Sequence, residues 1–183
     1  MPPLEGIEGP ESFVPILRGG AATFVRPTQW YVDWSVQAVA EYRRAGKNTA
    51  RFQNSQFYFR EGIGVPMVSS ARLTAALLEG RLFDQGIVGV FAKDDRMLHF
   101  LLGFLNTQLA TVLLRQINPT ANNSANYLKR LPVVSPSTRE LREANVLVAT
   151  AIFEARESQS VSVDTLTKIE SFYRAMWCHG APE

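Results

Sequence analysis

Few side chains in this 183-residue chain have the types and spacing that catalysis requires. Its two histidines are His99, inside an apolar run, and His179, in the terminal tail, and neither neighbours a serine or cysteine elbow of a nucleophilic triad. Cys178 is the single cysteine, which excludes an intramolecular disulfide framework and any multi-cysteine zinc site. A histidine-rich metal centre is excluded on the same count, so no metal is expected. Gly86 and Gly89 do not complete a glycine-rich phosphate loop, because no helix starts directly after them. Asp94 and Asp95 are adjacent carboxylates at a helix start, where capping and the helix dipole explain them better than acid–base work. Glu79 and Asp84 lack the Glu-x-Lys spacing of a metal-dependent nuclease centre. No catalytic residue is assigned.

What remains is the chemistry of binding. Of 19 basic residues, 15 are arginine, the side chain suited to bidentate phosphate and guanine contacts. The formal charge is only +2, but it is unevenly spread. Residues 18–60 hold Arg18, Arg26, Arg43, Arg44, Lys47, Arg51 and Arg60 against Asp33 and Glu41, a net of +5. The same third holds Trp30, Tyr31, Trp34, Tyr42, Phe52, Phe57, Tyr58 and Phe59. Arginine interleaved with aromatics fits a nucleic-acid surface. The same pattern also fits half-buried strand aromatics between solvated arginines.

The elements that must carry these residues change character along the chain. Phe13–Leu17, Phe24–Arg26, Gln56–Phe59, Gly64–Val68 and Ile87–Phe91 are short runs of β-branched and aromatic residues, and they predict strands. Gly19-Gly20 marks a turn. Two helical patches are expected between them, Tyr31–Arg44 stopping at Gly46 and Ala71–Leu78 stopping at Gly80. From Asp94 or Asp95 as cap, Leu98, Leu101, Leu102, Leu105, Leu109, Val112, Leu113 and Ile117 follow a 3.6-residue period and predict one helix. Its apolar stretch, Met97–Leu114, is broken by Asn106, Thr107, Gln108 and Thr111 and is short of the ~20 apolar residues that span a bilayer. The asparagine-rich segment 118–131 reads as a loop. Ser135-Pro136 predicts a cap and first turn for a helix to about Glu157, and Ser162 caps a further helix, Val163–Met176. The start, MPPLEGIEGPESF, has no basic or apolar stretch and is not a signal peptide. The expectation is a soluble, cytoplasmic protein without a membrane partner. A chain this long buries roughly 70% of its unfolded surface, enough to hold a core unaided.

Several segments in the middle occur together in a telling order. They are Arg51-Phe-Gln-Asn-Ser-Gln-Phe-Tyr-Phe-Arg-Glu-Gly-Ile-Gly-Val-Pro-Met-Val-Ser-Ser70, Leu82-Phe-Asp-Gln85, Phe100-Leu-Leu-Gly-Phe-Leu-Asn106, Ile117-Asn-Pro-Thr120 and Tyr127-Leu-Lys-Arg-Leu-Pro132. This series resembles the C-terminal target-recognition region of DNA adenine-N6 methylases, the fused restriction-modification and phage-exclusion enzymes with a TaqI-like specificity domain. It covers about residues 24–134, and Trp30-Tyr-Val-Asp-Trp34 resembles the family's Trp-Tyr segment more loosely. Asn106-Thr107 stands where the family usually has Asn-Ser. The methylating half of such enzymes carries a glycine-rich cofactor loop and an Asn-Pro-Pro-aromatic motif. Here Asn118-Pro-Thr-Ala121 puts threonine and alanine where the second proline and the aromatic belong. The chain therefore looks like the specificity end without its engine, as a piece of a larger protein, a split subunit or a truncated gene.

The resemblance implies a sequence-specific double-stranded DNA recognition domain, with S-adenosylmethionine and methyl transfer left to a catalytic domain or subunit. Its expected fold is α+β, a mixed β-sheet recognition domain with packed helices over 1–134, followed by a C-terminal helical spacer or docking segment over 135–183. On this reading Arg43, Arg44, Lys47 and Arg51 are candidates for phosphate positioning. Gln53, Asn54, Gln56, Arg60 and Arg72 are candidates for base or groove contact, since Asn and Gln pair with adenine and Arg with guanine. Asn122, Asn123, Ser124, Asn126, Lys129 and Arg130 form a third candidate surface, although asparagines there equally suit a turn that satisfies its own backbone. Gly62, Gly64 and Pro66 are read as backbone geometry. The alternative function is a helical docking domain for a methylase or nuclease partner.

Overall fold

The computed structural model describes residues 2–44 and 52–180. Strands β1 (Phe13–Leu17) and β2 (Trp30–Asp33) pair antiparallel, and β5 (Leu82–Phe83) joins β1 in parallel, giving a mixed sheet of order β2-β1-β5. A second, antiparallel sheet has order β4-β3-β6, built from β3 (Ile63–Pro66), β4 (Ala76–Leu77) and β6 (Ile87–Val90). The helices are α1 (Val36–Arg43), α2 (Leu98–Leu105), α3 (Gln108–Ile117), α4 (Ala125–Leu128), α5 (Thr138–Ser158) and α6 (Val163–Gly180). The α+β class is as expected.

The main core lies between the second sheet and the helices. Ile63, Val65 and Val88 meet Phe100, Leu102 and Phe104 of α2, Leu114 of α3, Ala144, Val148 and Ile152 of α5, and Ile169 and Tyr173 of α6. This core runs continuously across residues 134 and 135. Small residues on α5 let α2 approach closely, and the approach is tightest at Gly103: a Cβ there would stand 2.5 Å from the Tyr173 hydroxyl and 2.6 Å from a Val148 methyl. Gly62, directly before the central strand β3, and Gly89 of β6 both lie under the Phe91 ring, whose atoms would stand 2.7 Å from either added Cβ. A smaller cluster of Val14, Trp34, Val39, Phe59 and Leu82 supports the first sheet.

β1 forms over the predicted residues, and β6 and Asp94's capping role also match: Asp94 Oδ1 accepts from the Arg96 backbone N–H at 3.0 Å. Ser162 caps α6 by accepting from Thr165 N–H at 3.2 Å. Other expectations are corrected by tertiary bonding. Tyr31–Arg44 starts as strand β2, because its backbone pairs with β1 and Asp33 Oδ1 accepts from Ser35 N–H at 2.8 Å, holding the chain extended before Ser35 caps α1. Ala71–Leu78 is not a helix. Its N–H groups at Leu73, Ala75 and Leu77 donate instead to Thr111, Asn106 and Phe24. Phe24–Arg26 shrinks to one bridge between Phe24 and Ala76. Gln56–Phe59 gives way to a 3₁₀ turn, Ser55–Phe57, lying between two left-handed residues, Asn54 and Phe59.

The long helix predicted to end at Ile117 is bent by 83° at Asn106-Thr107, which separates α2 from α3. Among the described residues no single helix is long and apolar enough to cross a membrane. The α5 cap is Ser137, two residues beyond the expected Ser135, in a capping box with Glu140 that satisfies orphan N–H groups reciprocally. The expected stop at Gly46 lies outside the described residues.

Candidate nucleic-acid interface

The bend between α2 and α3 is stabilised from both sides. The Asn106 amide is buried and bonds Ala75 twice, while its Nδ2 also donates to Leu102 O at 3.0 Å. Thr107 then caps α3, its Oγ1 accepting from Ala110 N–H at 3.0 Å. Glu170 of α6 adds a carboxylate to the same helix start, accepting from Gln108 N–H at 2.6 Å, a placement the helix dipole favours. This arrangement aims α3 so that its last turn reaches the asparagine-rich loop.

In that loop the asparagines mainly serve backbone. Asn118 Nδ2 donates to Asn122 O at 2.8 Å and its Oδ1 accepts from the Thr120 hydroxyl at 3.0 Å. Asn122 is exposed, but its Oδ1 accepts from Ser124 N–H at 2.8 Å. Asn123 corrects the site reading: it is 0% exposed, its Nδ2 donates to Pro66 O at 3.0 Å, and its Oδ1 accepts from Arg115 at 3.0 Å. A side chain so enclosed has no atom to offer a DNA groove. Asn126, Lys129 and Arg130 stand exposed on α4 and just after it.

The arginines of the basic first third are largely engaged within the fold. Arg26 donates to the carbonyls of Arg18, Gly19 and Gly20 and so ties off the glycine turn. Arg18 lies 5.0 Å over the Trp30 ring and 3.6 Å from Asp84. Arg43 donates to Leu4 O at 2.8 Å and lies 4.9 Å over the Phe52 ring. Arg44 pairs with Glu41 at 2.7 Å. All are exposed or half-buried at the surface, so these contacts position the charges without hiding them. Lys47 and Arg51 lie outside the described residues.

Gln53 and Asn54 sit at the rim of a cleft of about 550 Å³, whose wall includes Trp34, Tyr42, Phe52 and Tyr58. Burial pushes the phenols of Tyr42 and Tyr58 above the usual tyrosine range, so both stay neutral. Gln56 is exposed, and Arg60 lies 5.8 Å from the Phe57 ring and 5.6 Å from Phe91. Lys129 lines a groove against Val88, Gly89 and Val90 of β6, the strand that runs into Phe91. Arg72 is set apart from these. It is half-buried, with its guanidinium donating to the Asn106 carbonyl.

Arg115 was missed in the sequence. It donates to Ser69 O at 2.9 Å and to Asn123 Oδ1, joining the loop after β3 to the asparagine-rich loop. Its signal was its place in the last turn of an amphipathic helix, directly before Asn118-Pro119-Thr120. Buried Arg81, 4% exposed, was also unremarked. It donates to Leu78 O, Leu77 O, Arg26 O and Glu79, and Glu79 also pairs with Arg156 of α5 at 2.7 Å. Burial lowers the Arg81 pKa from its usual value, and Glu79 opposes that shift. Among the described residues no group of three His, Cys, Asp or Glu side chains converges on a point where a metal could bind.

No protein-family model matches the chain. A curated relative does: over 147 residues, 75% of this chain, it is 32% identical to the adenine-specific methyltransferase PglX of Lacticaseibacillus casei (strain Zhang). This chain is similar to part of an adenine-specific methyltransferase. It spans 12% of that relative's length. The segment Phe100–Asn106, which carried much of the resemblance, has an architectural explanation here: Gly103 admits Tyr173 and Val148, and Asn106 joins α2 to the extended chain at Ala75.

Proposed function

We propose that the chain is the sequence-reading, double-stranded-DNA-binding module of an adenine methylase of the restriction-modification or phage-exclusion type, with a TaqI-like specificity role. The observation that carries this reading is the match to a short stretch of an adenine-specific methyltransferase by a chain that has no Asn-Pro-Pro-aromatic motif of its own. S-adenosylmethionine and methyl transfer belong, on this reading, to a catalytic domain or subunit that partners this chain. The protein then works in the cytoplasm in phage defence. Phosphate contacts come from Arg43, Arg44, Lys47, Arg51, Lys129 and Arg130, and base-edge contacts from Gln53, Asn54, Gln56, Arg60, Asn122 and Asn126. Fluorescence anisotropy with mixed-sequence duplex DNA over a salt series tests this. Affinity that falls log-linearly with salt supports it, and absence of binding at low salt sinks it for the isolated chain.

A second reading, docking of a methylase or nuclease partner on the C-terminal helices, draws support from α5. Val146 and Phe153 are 68% and 65% exposed and lie seven residues apart on one helix face. Val146→Asp with Phe153→Asp then releases the partner while DNA affinity is unchanged.

A further inference from the structure

A cavity of about 440 Å³ opens between the end of β3's following loop and α3, bounded by Arg72, Arg115, Gln108, Thr111 and Thr120. Among the described residues, two guanidinium groups and no carboxylate line it. Neither arginine has an ion-pair partner within 4.0 Å among the described residues. Each guanidinium carries five N–H donors in a fixed fork. Arg72 gives one end to the Asn106 carbonyl, and its buried Nε has no partner among the described residues. Arg115 is held by Ser69 O and Asn123 Oδ1, bonds that leave donors over and fix its plane. Leaving a buried donor unmade is costly, and a charged one more so. Open to solvent, with two guanidinium groups as its only charges among the described residues, the cavity fits an anion with several acceptor oxygens.

We propose that this cavity is a phosphate-group site, held by Arg72 and Arg115. The phosphate is either a phosphodiester of the DNA strand or a free phosphate. Arg72 is then a phosphate clamp, in place of the base contact read from the sequence, and Arg115 is a new member of the binding surface. The DNA source rests on the function proposed above; the anion site does not.

The test uses the whole chain and inorganic phosphate, followed through the arginine Nε–H signals by NMR. Expected are saturable shifts of the Arg72 and Arg115 signals, with several-fold weaker binding in Arg72→Met. No shift at concentrations well above physiological phosphate overturns the site. Because Arg115→Ala also removes two structural bonds, Arg115→Lys serves beside it: it keeps the charge, loses the fork, and is expected to bind phosphate several-fold less tightly without unfolding. A duplex-DNA salt series then assigns the source. If Arg72→Met flattens the slope by about one unit equally for all sequences, the anion is a DNA phosphate. If the wild type titrates phosphate but the slope is unchanged in Arg72→Met, the site takes a free phosphate. If the wild type binds phosphate and no DNA, the proposed function falls and the anion site stands.

Discussion

Asn106 pairs with Ala75 as one strand pairs with another: its Oδ1 accepts from the Ala75 N–H at 3.1 Å and its Nδ2 donates to the Ala75 carbonyl at 2.8 Å. One side chain thus supplies both halves of a backbone ladder at the point where α2 ends. Its own carbonyl receives Arg72, so the helix end, the extended segment and the candidate anion cavity share a single residue.

Replacing Asn106 by alanine leaves the buried Ala75 N–H without its partner, while the Ala75 carbonyl keeps the Phe24 N–H at 2.7 Å. The expected loss is about 1–3 kcal/mol, the range for an orphaned buried donor. Urea unfolding measures it. Asn106→Asp, which keeps the acceptor and loses the donor, is expected to cost nearly as much, because it adds a buried carboxylate. A loss below half a kcal/mol for both would show that the pairing contributes little.

Gly103→Ala forces a methyl into the Tyr173 hydroxyl and the Val148 side chain, both fixed in the core. Overpacking of this kind is expected to destabilise by about 1–3 kcal/mol. Adding Val148→Ala makes room on one side, so the double variant should recover part of the loss relative to the sum of the single changes. Strict additivity would mean the two groups do not compete for space.

The Asp33 carboxyl is held below its usual 3.8, first by the Ser35 backbone N–H and then by the Ser35 and Ser12 hydroxyls. A lowered folded value means the unfolded chain binds the proton more readily. The stability Asp33 contributes is therefore complete above pH 3.8 and is lost as pH falls through the lowered folded value. Asp33→Asn should remove this component from the acid limb of the unfolding midpoint while leaving the neutral-pH slope untouched. An identical acid limb in the variant refutes the assignment.

Exposed and buried members of the asparagine-rich loop should separate in a DNA assay. Lys129→Ala with Arg130→Ala is expected to reduce the salt slope by about two units and weaken binding to all sequences alike. Asn123→Ala is expected to lower the unfolding midpoint instead, by about 1–3 kcal/mol of stability, without changing which duplex is preferred. A shift of sequence preference in Asn123→Ala would return that residue to the DNA surface.

Much of the local architecture was readable from the residues alone. Strand β1, strand β6, the Asp94 cap, the Ser162 cap and the helical C-terminal third all follow from short-range rules, since a cap or an alternating run acts on its own neighbours. The order of the segments from Arg51 to Pro132 pointed to an adenine methylase, and similarity to an adenine-specific methyltransferase agrees at that level.

Tertiary contacts decided the rest. Ala71–Leu78 has the composition of a helix, yet Phe24, Asn106 and Thr111 take the hydrogen bonds that a helix needs for itself. The unbroken period from Leu98 to Ile117 conceals an 83° bend, because Asn106 pairs with the extended chain at Ala75 and Thr107 turns its hydroxyl to cap a new helix. Asn122 and Asn123 are adjacent and identical in type; one is exposed and the other enclosed because Pro66, from a distant part of the chain, and Arg115 of α3 close over it. Residue type sets what a side chain can bond. Only the folded chain settles whether water, a neighbour or a ligand is there to be bonded.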